Sequence, residues 1–262
     1  MSRFAICFFG IPRALNKTAE SIKLNIVKPL KRFDPIVLGH FFDQKTIRNT
    51  RSGESGSINF EDVSLLPFDS ICKEPTDEFL TRDFYNEVKS YGDVFGDDFQ
   101  SIRNLLHQLK SISTVTRMAL NNGAKQVLFV RPDIMYHDSF DKISRLLQQS
   151  GSYCYIPNWQ HWSRGYNDRF ALCIGTDSIE AYGNRYYRLR DYMEECRIPL
   201  HPEKFLKYCL SRNKNTTVKF IKLKGSRVRI DGRIMQEDFM DFRLRRIFNK
   251  FSKLFKILWN EN

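Results

Sequence analysis

The sequence predicts an α/β protein built on a mostly parallel sheet flanked by helices. Two observations predict it. Short apolar runs recur at residues 4–9, 36–42, 127–130, 153–156 and 170–174, each of strand length. Segments of helical spacing separate several of them, and a strand–helix–strand succession normally builds a parallel pair with a right-handed crossover.

In chain order, residues 4–9 (FAICFF) are continuously apolar and stop at Gly10, as expected of a strand buried on both faces. Asn16 or Thr18 is placed to cap a helix running to about Arg32, with Ile22, Ile26, Val27 and Leu30 on one face. Asp34-Pro35 ends it, and a second strand runs from Ile36 to Phe42. Residues 43–59 are polar and rich in Gly, Ser, Thr and Arg, the composition of a surface loop, and a short strand is expected near residues 70–72. Residues 73–98 carry no clear periodicity. From Phe99 to Asn121 the apolar residues Ile102, Leu105, Leu106, Leu109, Ile112, Val115 and Met118 fit one long helix, closed by Asn122-Gly123. A strand at 127–130 leads to Arg131-Pro132-Asp133, then a short helix at 138–149 and strands at 153–156 and 170–174. A helix over 177–196, broken near Gly183, another opening at His201-Pro202, and an alternating strand at 218–223 complete the domain.

Length and composition suit one large domain of 262 residues: 42% hydrophobic, 27% charged, with 22 phenylalanines for an aromatic core. The net charge of +12 is not spread over the chain. Residues 204–256 hold 16 Lys+Arg against 4 acids, which leaves 42 − 16 = 26 basic and 30 − 4 = 26 acidic residues elsewhere. A confined basic segment points to a local anionic partner. Nucleic acid is not the expected one, because no helix-turn-helix, zinc-finger or RRM signature accompanies it. The six cysteines form no C-x-x-C pair, and Cys7, Cys154 and Cys173 lie in apolar strands, so buried reduced thiols and a cytoplasmic setting are expected. No apolar run has the length of a membrane span.

In open α/β sheets ligands bind beyond the carboxyl ends of the strands. That rule selects Gly10 to Arg13, Asp133 with its neighbours, and the loop 157–169. Asp133 follows a buried strand, where a carboxylate can hold Mg²⁺ or Mn²⁺ bridging a diphosphate, while Arg131 offers a planar fork to phosphate. Gly10 permits close backbone approach, and Arg13 can pair with phosphate. Asp168 and Arg169 precede another apolar strand, and the loop ahead of them interleaves Asn158, Trp159, His161, Trp162 and Tyr166, a composition suited to sugars. Neither G-x-G-x-x-G, a P-loop nor G-x-S-x-G occurs.

The ordered segments FFGIPRAL, LLHQLKSI, VLFVRPDIMY, NDRFAL and HPEKFL, spread over about residues 3–230, resemble a family of microbial and viral glycosyltransferase-like proteins of surface polysaccharide loci. The resemblance implies a GT-A-like, Rossmann-type fold, a nucleotide-sugar donor, a divalent metal (Mn²⁺ or Mg²⁺), and a glycan or lipid-linked acceptor. By position Asp133 stands for the metal-binding carboxylate of a D-x-D motif, but Arg131 replaces the first Asp, which weakens the case for tight metal binding. Gly10, Arg13, Arg131 and Arg169 are the expected contacts to the donor. A general base must take the acceptor's proton, and Asp168 and Glu203 are the candidates, Asp168 being the better placed. A non-catalytic glycan- or partner-binding protein on the same scaffold is the alternative.

The chain divides into an α/β domain over 1–235 and a basic amphipathic helix within 236–262. Along residues 239–259, Leu244, Ile247, Phe248, Phe251, Leu254, Phe255 and Leu258 form one face and Arg243, Arg246, Lys250, Lys253 and Lys256 the other. This pattern suits peripheral attachment to an anionic membrane surface.

Overall fold

The computed structural model describes residues 3–245. Seven strands form the central sheet: β1 (Arg3–Gly10), β2 (Ile36–Phe42), β5 (Ser70–Glu74), β6 (Ala124–Val130), β8 (Tyr153–Pro157), β9 (Ala171–Ile174) and β10 (Thr217–Ile221). Two small pairs lie outside it, β3 (Thr46–Asn49) with β4 (Glu54–Ser57) and β7 (Ile134–Tyr136) with β11 (Gly225–Arg227). Across the sheet the order is β5-β2-β1-β6-β9-β8-β10; counting only these strands along the chain, it reads 3-2-1-4-6-5-7. Every neighbouring pair is parallel except the two made by β9, which runs against both β6 and β8. The expected α/β architecture with a mostly parallel sheet is therefore present.

The continuous apolar runs follow from burial on both faces. Phe4, Ile6 and Phe8 of β1 enter one core layer, and Ala5, Cys7 and Phe9 enter the other. β6 divides likewise, Leu128 and Val130 to the first layer and Val127 and Phe129 to the second. The first layer is covered by α1 (Leu15–Ile22) and its continuation, and the second by α4 (Gln100–Asn121) and α5 (Thr176–Gly183). A third cluster joins α3 (Arg82–Ser90), α4, α6 (Leu189–Cys196) and α7 (Pro202–Arg212) through Val88, Leu106, Leu109, Tyr192, Met193 and Phe205. Thr81 caps α3 by accepting from the Phe84 N–H, in the stretch that showed no periodicity. All six cysteines are free, four of them buried.

Several local expectations are corrected. Asn16 and Thr18 do not cap the first helix; it begins after Ala14, and the Thr18 hydroxyl donates to the Pro132 carbonyl. The helix then widens into a π-helical turn at Lys23–Val27 before the short α2 (Lys28–Leu30). Pro29 explains this, since it lacks the N–H for a bond to residue 25 and its ring crowds that carbonyl. Residues 43–59 are not a plain loop, because they contain the β3–β4 hairpin. Residues 138–149 form two 3₁₀ turns rather than a helix; the Ser144 hydroxyl takes the Asp141 carbonyl, a competing local bond.

At the C-terminal end Phe239 packs edge-on against Trp159, Glu237 pairs with Arg227, and Asp241 bridges to Trp159. Residues 237–241 therefore dock on the α/β domain, and helical backbone begins only after Asp241. The rest of the basic helix expected over 239–259 lies outside the described residues. Among the described residues no helix is long and apolar enough to cross a membrane.

Candidate active-site cleft

The sheet order reverses between β1 and β6. From β1 the chain builds outward through β2 and β5, then returns to add β6 on the other side of β1. Loops leaving such a pair diverge and leave a crevice. A cleft of about 500 Å³ opens there, and all seven sequence-predicted residues line it: Gly10, Arg13, Arg131, Asp133, Asp168, Arg169 and Glu203. Asp168 and Arg169 reach it because β9 is reversed. The start of an antiparallel strand lies at the same edge as the ends of its parallel neighbours.

Gly10 has φ +100°, in the region that favours glycine, and a Cβ there would meet nothing within 4 Å. Its N–H is held by the Ser111 hydroxyl at 2.9 Å. The backbone therefore faces open cleft, as close approach by a ligand requires.

Asp133, 2% exposed, sits between two guanidiniums. Arg131 donates through Nε to Oδ1 at 2.9 Å and through Nη2 to Oδ2 at 2.8 Å, and Arg13 donates to Oδ2 through both Nε and Nη2. Burial alone would raise the Asp133 pKa, but Arg131 and Arg13 together outweigh it and hold the carboxyl far below the usual range. Three charge-assisted bonds converge on Oδ2 and a fourth falls on Oδ1, which leaves little of the carboxylate for a cation. A divalent ion would also stand beside two guanidiniums, and Glu54, the other carboxylate that Arg13 touches, is itself taken up by Ser52, Arg229 and the Ile230 N–H. The residues at Asp133 do not fit a Mn²⁺ or Mg²⁺ ligand set; they fit a carboxylate that aims two arginines.

The network continues in both directions. Arg13 also donates to Glu54 at 3.2 Å, and Glu54 in turn accepts from Ser52, Arg229 and the Ile230 N–H. Arg131 donates to Gln108 Oε1 at 2.8 Å, and Gln108 Nε2 donates to Asp168 Oδ2 at 3.0 Å. Asp168 Oδ1 accepts from Arg169 at 3.2 Å. Among the described residues, six arginines (Arg13, Arg51, Arg131, Arg169, Arg227 and Arg229) face the cleft with three carboxylates, while Glu54 and Glu237 lie buried behind them. Burial and the nearby Arg227 guanidinium destabilise the Arg169 charge, and its Nε has no hydrogen-bond partner among the described residues. An incoming anion would relieve both.

The two candidate bases are held in opposite states. Burial would raise the Asp168 pKa, but Arg169, Arg131 and Arg185 overcome it and keep the group ionised. Glu203, in the first turn of α7, is pushed up to about 7, first by burial and then by the negative charge of Asp168, with Arg169 offsetting only part. Glu203 Oε2 lies 3.2 Å from His201 Nδ1, and His201 Nε2 lies 3.1 Å from the Ser163 hydroxyl. Burial, then Lys204, lowers the His201 pKa, so the ring is neutral near pH 7. The two environments thus separate the carboxyls, one held as a fixed charge and the other able to take up a proton near neutrality.

The aromatic loop behaves differently from expectation. Only Trp162 lines the cleft, 47% exposed. Trp159 is buried with its indole N–H on the Leu223 carbonyl, and His161 stacks on Phe242 beside Tyr166 and Phe220. Most of the loop is a packed corner. His137 and Asp138 lie outside the cleft, bound to Ser226 and to Lys142 with the Lys224 N–H. Sequence reasoning missed Glu54, Gln108, Arg51, Arg227 and Arg229. Gln108 sits within the LLHQLKSI segment, which offered a signal; Glu54 lies in a Gly- and Ser-rich stretch that offered none.

No protein-family model matches the chain, and no curated protein matches it. What the fold and cleft define is a class: an α/β protein with an arginine-lined crevice at the switch point of its sheet and a carboxyl pair of divided protonation.

Proposed function

We propose that the protein is a nucleotide-sugar-dependent glycosyltransferase whose arginines, rather than a metal ion, hold the donor's phosphates. The observation that carries this reading is Glu203, poised near neutral pH in a cleft lined by six arginines. Guanidiniums match phosphate oxygens in geometry and keep their charge at any working pH. Arg13 and Arg131 are pre-aimed by Asp133, and Arg169 and Arg227 stand nearer Glu203. The acceptor hydroxyl loses its proton to Glu203 as its oxygen bonds the anomeric carbon. The bond from that carbon to the diphosphate breaks, and the developing negative charge falls on the arginines. Asp168 stays ionised beside the reacting centre, where it favours positive charge on the sugar ring.

The order 3-2-1-4-6-5-7 with only the sixth strand reversed suits the GT-A arrangement that the resemblance implies. Trp162 offers an exposed ring for the acceptor sugar. A glycan or lipid-linked hydroxyl is the acceptor class expected from the resemblance, and attachment to an anionic membrane through residues 239–259 rests on their sequence alone.

A thermal-shift panel of UDP-, GDP-, CMP- and dTDP-sugars, each with and without Mn²⁺, tests the reading. A donor at a hundred times its Kd adds about 2.7 kcal/mol of stability, and the expected shift is the same in both arms. Silence from every nucleotide would remove the enzyme reading. A shift that needs Mn²⁺ would restore a metal to Asp133. Binding of a donor without turnover on any acceptor would favour the non-catalytic alternative.

A further inference from the structure

A second cluster of chemistry-bearing side chains lies at the sheet edge, outside the cleft lining. β2 and β5 are parallel, with His40 in register with Cys72 and Phe42 with Glu74. Side chains at i and i+2 of a strand share a face, so His40, Cys72 and Glu74 project together. A nitrogen, a sulfur and a carboxylate oxygen from the three lie within 4.8 Å of one another. His40 Nε2 is already 3.5 Å from Glu74 Oε1. With metal–ligand bonds of about 2.0–2.3 Å, tetrahedral ligands sit roughly 3.5 Å apart, so only the two half-buried edge-strand side chains need to close in.

The hydrogen bonds fix which proton His40 carries. The Ser111 hydroxyl donates to the His40 carbonyl at 2.9 Å and accepts from the Gly10 N–H at 2.9 Å. His40 Nδ1 lies 2.9 Å from the same oxygen. With the Ser111 proton given to the carbonyl, Nδ1 is the donor. In the neutral ring Nε2 is then a bare lone pair. That nitrogen is fully buried, aimed at a carboxylate, and without a hydrogen-bond partner among the described residues. Two acceptors facing each other at this distance want a cation between them.

We propose that His40, Cys72 and Glu74 are three ligands of a zinc-class divalent cation that clasps the edge strand β5 to β2, with Ser111 positioning the imidazole. The donor set decides the ion. Thiolate with imidazole and one carboxylate selects Zn²⁺ or Co²⁺ over the all-oxygen preferences of Mg²⁺ and Ca²⁺. Thiolate and carboxylate balance the double positive charge. Lys110 and Arg117 of α4, whose charges are felt at His40 and Cys72, favour the neutral imidazole and the thiolate. Ligation takes the thiolate, so metal capture releases the Cys72 proton and tightens as pH rises. Glu74 is partly exposed, which leaves an approach from solvent and a fourth position for water.

Cobalt(II) titration of the reduced, chelator-stripped full chain tests this independently of any transferase activity. The expected result is a near-ultraviolet thiolate-to-cobalt charge-transfer band that saturates at one equivalent and is displaced by Zn²⁺. Cys72→Ser removes the band. Glu74→Gln keeps it but weakens binding at least tenfold, and Ser111→Ala keeps it with affinity about 10- to 100-fold lower. Unchanged circular dichroism in each variant separates lost ligation from lost fold. A band of equal size in Cys72→Ser would place the cobalt on another thiol and overturn the proposal, as would the absence of any band at one equivalent in the wild-type chain.

Discussion

Replacing Glu203 with glutamine separates a catalytic carboxyl from a structural one, because the two roles predict opposite signs. The Glu203 pKa rises from 4.5 to about 7 in the fold, through burial and then Asp168. The folded form thus binds its proton more tightly than the unfolded chain. The associated stability is complete below pH 4.5 and is lost as pH climbs through 7. Above that, holding the ionised group costs about 3 kcal/mol. Glutamine has nearly the same shape and no charge to bury. Urea unfolding at pH 5 should find Glu203→Gln close to wild type, and at pH 8 should find it more stable by up to about 3 kcal/mol. The same change should lower kcat/KM by about 10²–10⁴-fold, the usual worth of a general base. Wild-type kcat/KM should rise with pH through about 7 and stand roughly tenfold below its plateau at pH 6. A variant that is less stable at pH 8, or a rate profile with no group titrating near 7, would refute the assignment of Glu203 as base.

Three further outcomes follow from the cleft's geometry. Asp133→Ala leaves two inward guanidiniums without their carboxylate and should cost about 3–5 kcal/mol of stability, equally with Mn²⁺ or a chelator present; a loss seen only with metal would return Asp133 to metal binding. Arg131→Lys keeps the charge but cannot make the paired bonds to Asp133 and the third to Gln108, so donor affinity should fall by tenfold or more in a thermal-shift titration, and wild-type affinity would show that the fork is irrelevant. Gly165→Ala would set a methyl 2.1 Å from the Glu203 carbonyl carbon, so it should reduce turnover as Glu203→Gln does but, unlike it, lower the melting temperature at every pH.

The parts of the fold legible in the sequence were those written in apolar periodicity. β1, β2 and α4 announce themselves because burial on two faces, or along one stripe, demands it of consecutive residues. The reversal of β9 left no such mark: a strand of Ala171, Leu172, Cys173 and Ile174 is equally apolar whichever way it runs, and its direction follows from residues 158–170, which bring it back beside β8 from the same rim. The β3–β4 hairpin hid for the opposite reason. Its Gly and Ser residues look like loop, and Glu54 is buried only because arginines from distant segments reach it. Asp133 illustrates the same limit in the site. Its place at the end of β6 could be read from Val127 to Val130, but its partners come from 120 residues away in Arg13 as well as from its neighbour Arg131. Adjacent residue types suggested a cation ligand; the folded neighbourhood makes it an anchor for cations the protein already owns. Glu203 was likewise readable as a carboxyl at a helix start, whereas its shifted proton affinity depends on Asp168, brought near by the tertiary fold.

The backward course of β9 has a consequence for how this protein can change. The chain leaves β8 and re-enters through β9 on the same rim, so the segment between them hangs over the cleft like a bucket handle fixed at both ends. Its ends are held by the buried Trp159 and Asn167, while Trp162 and Ser163 at its middle line the cleft. Substitutions at the exposed Trp162 can therefore reshape that side of the cleft while the arginine network around Asp133 keeps its geometry.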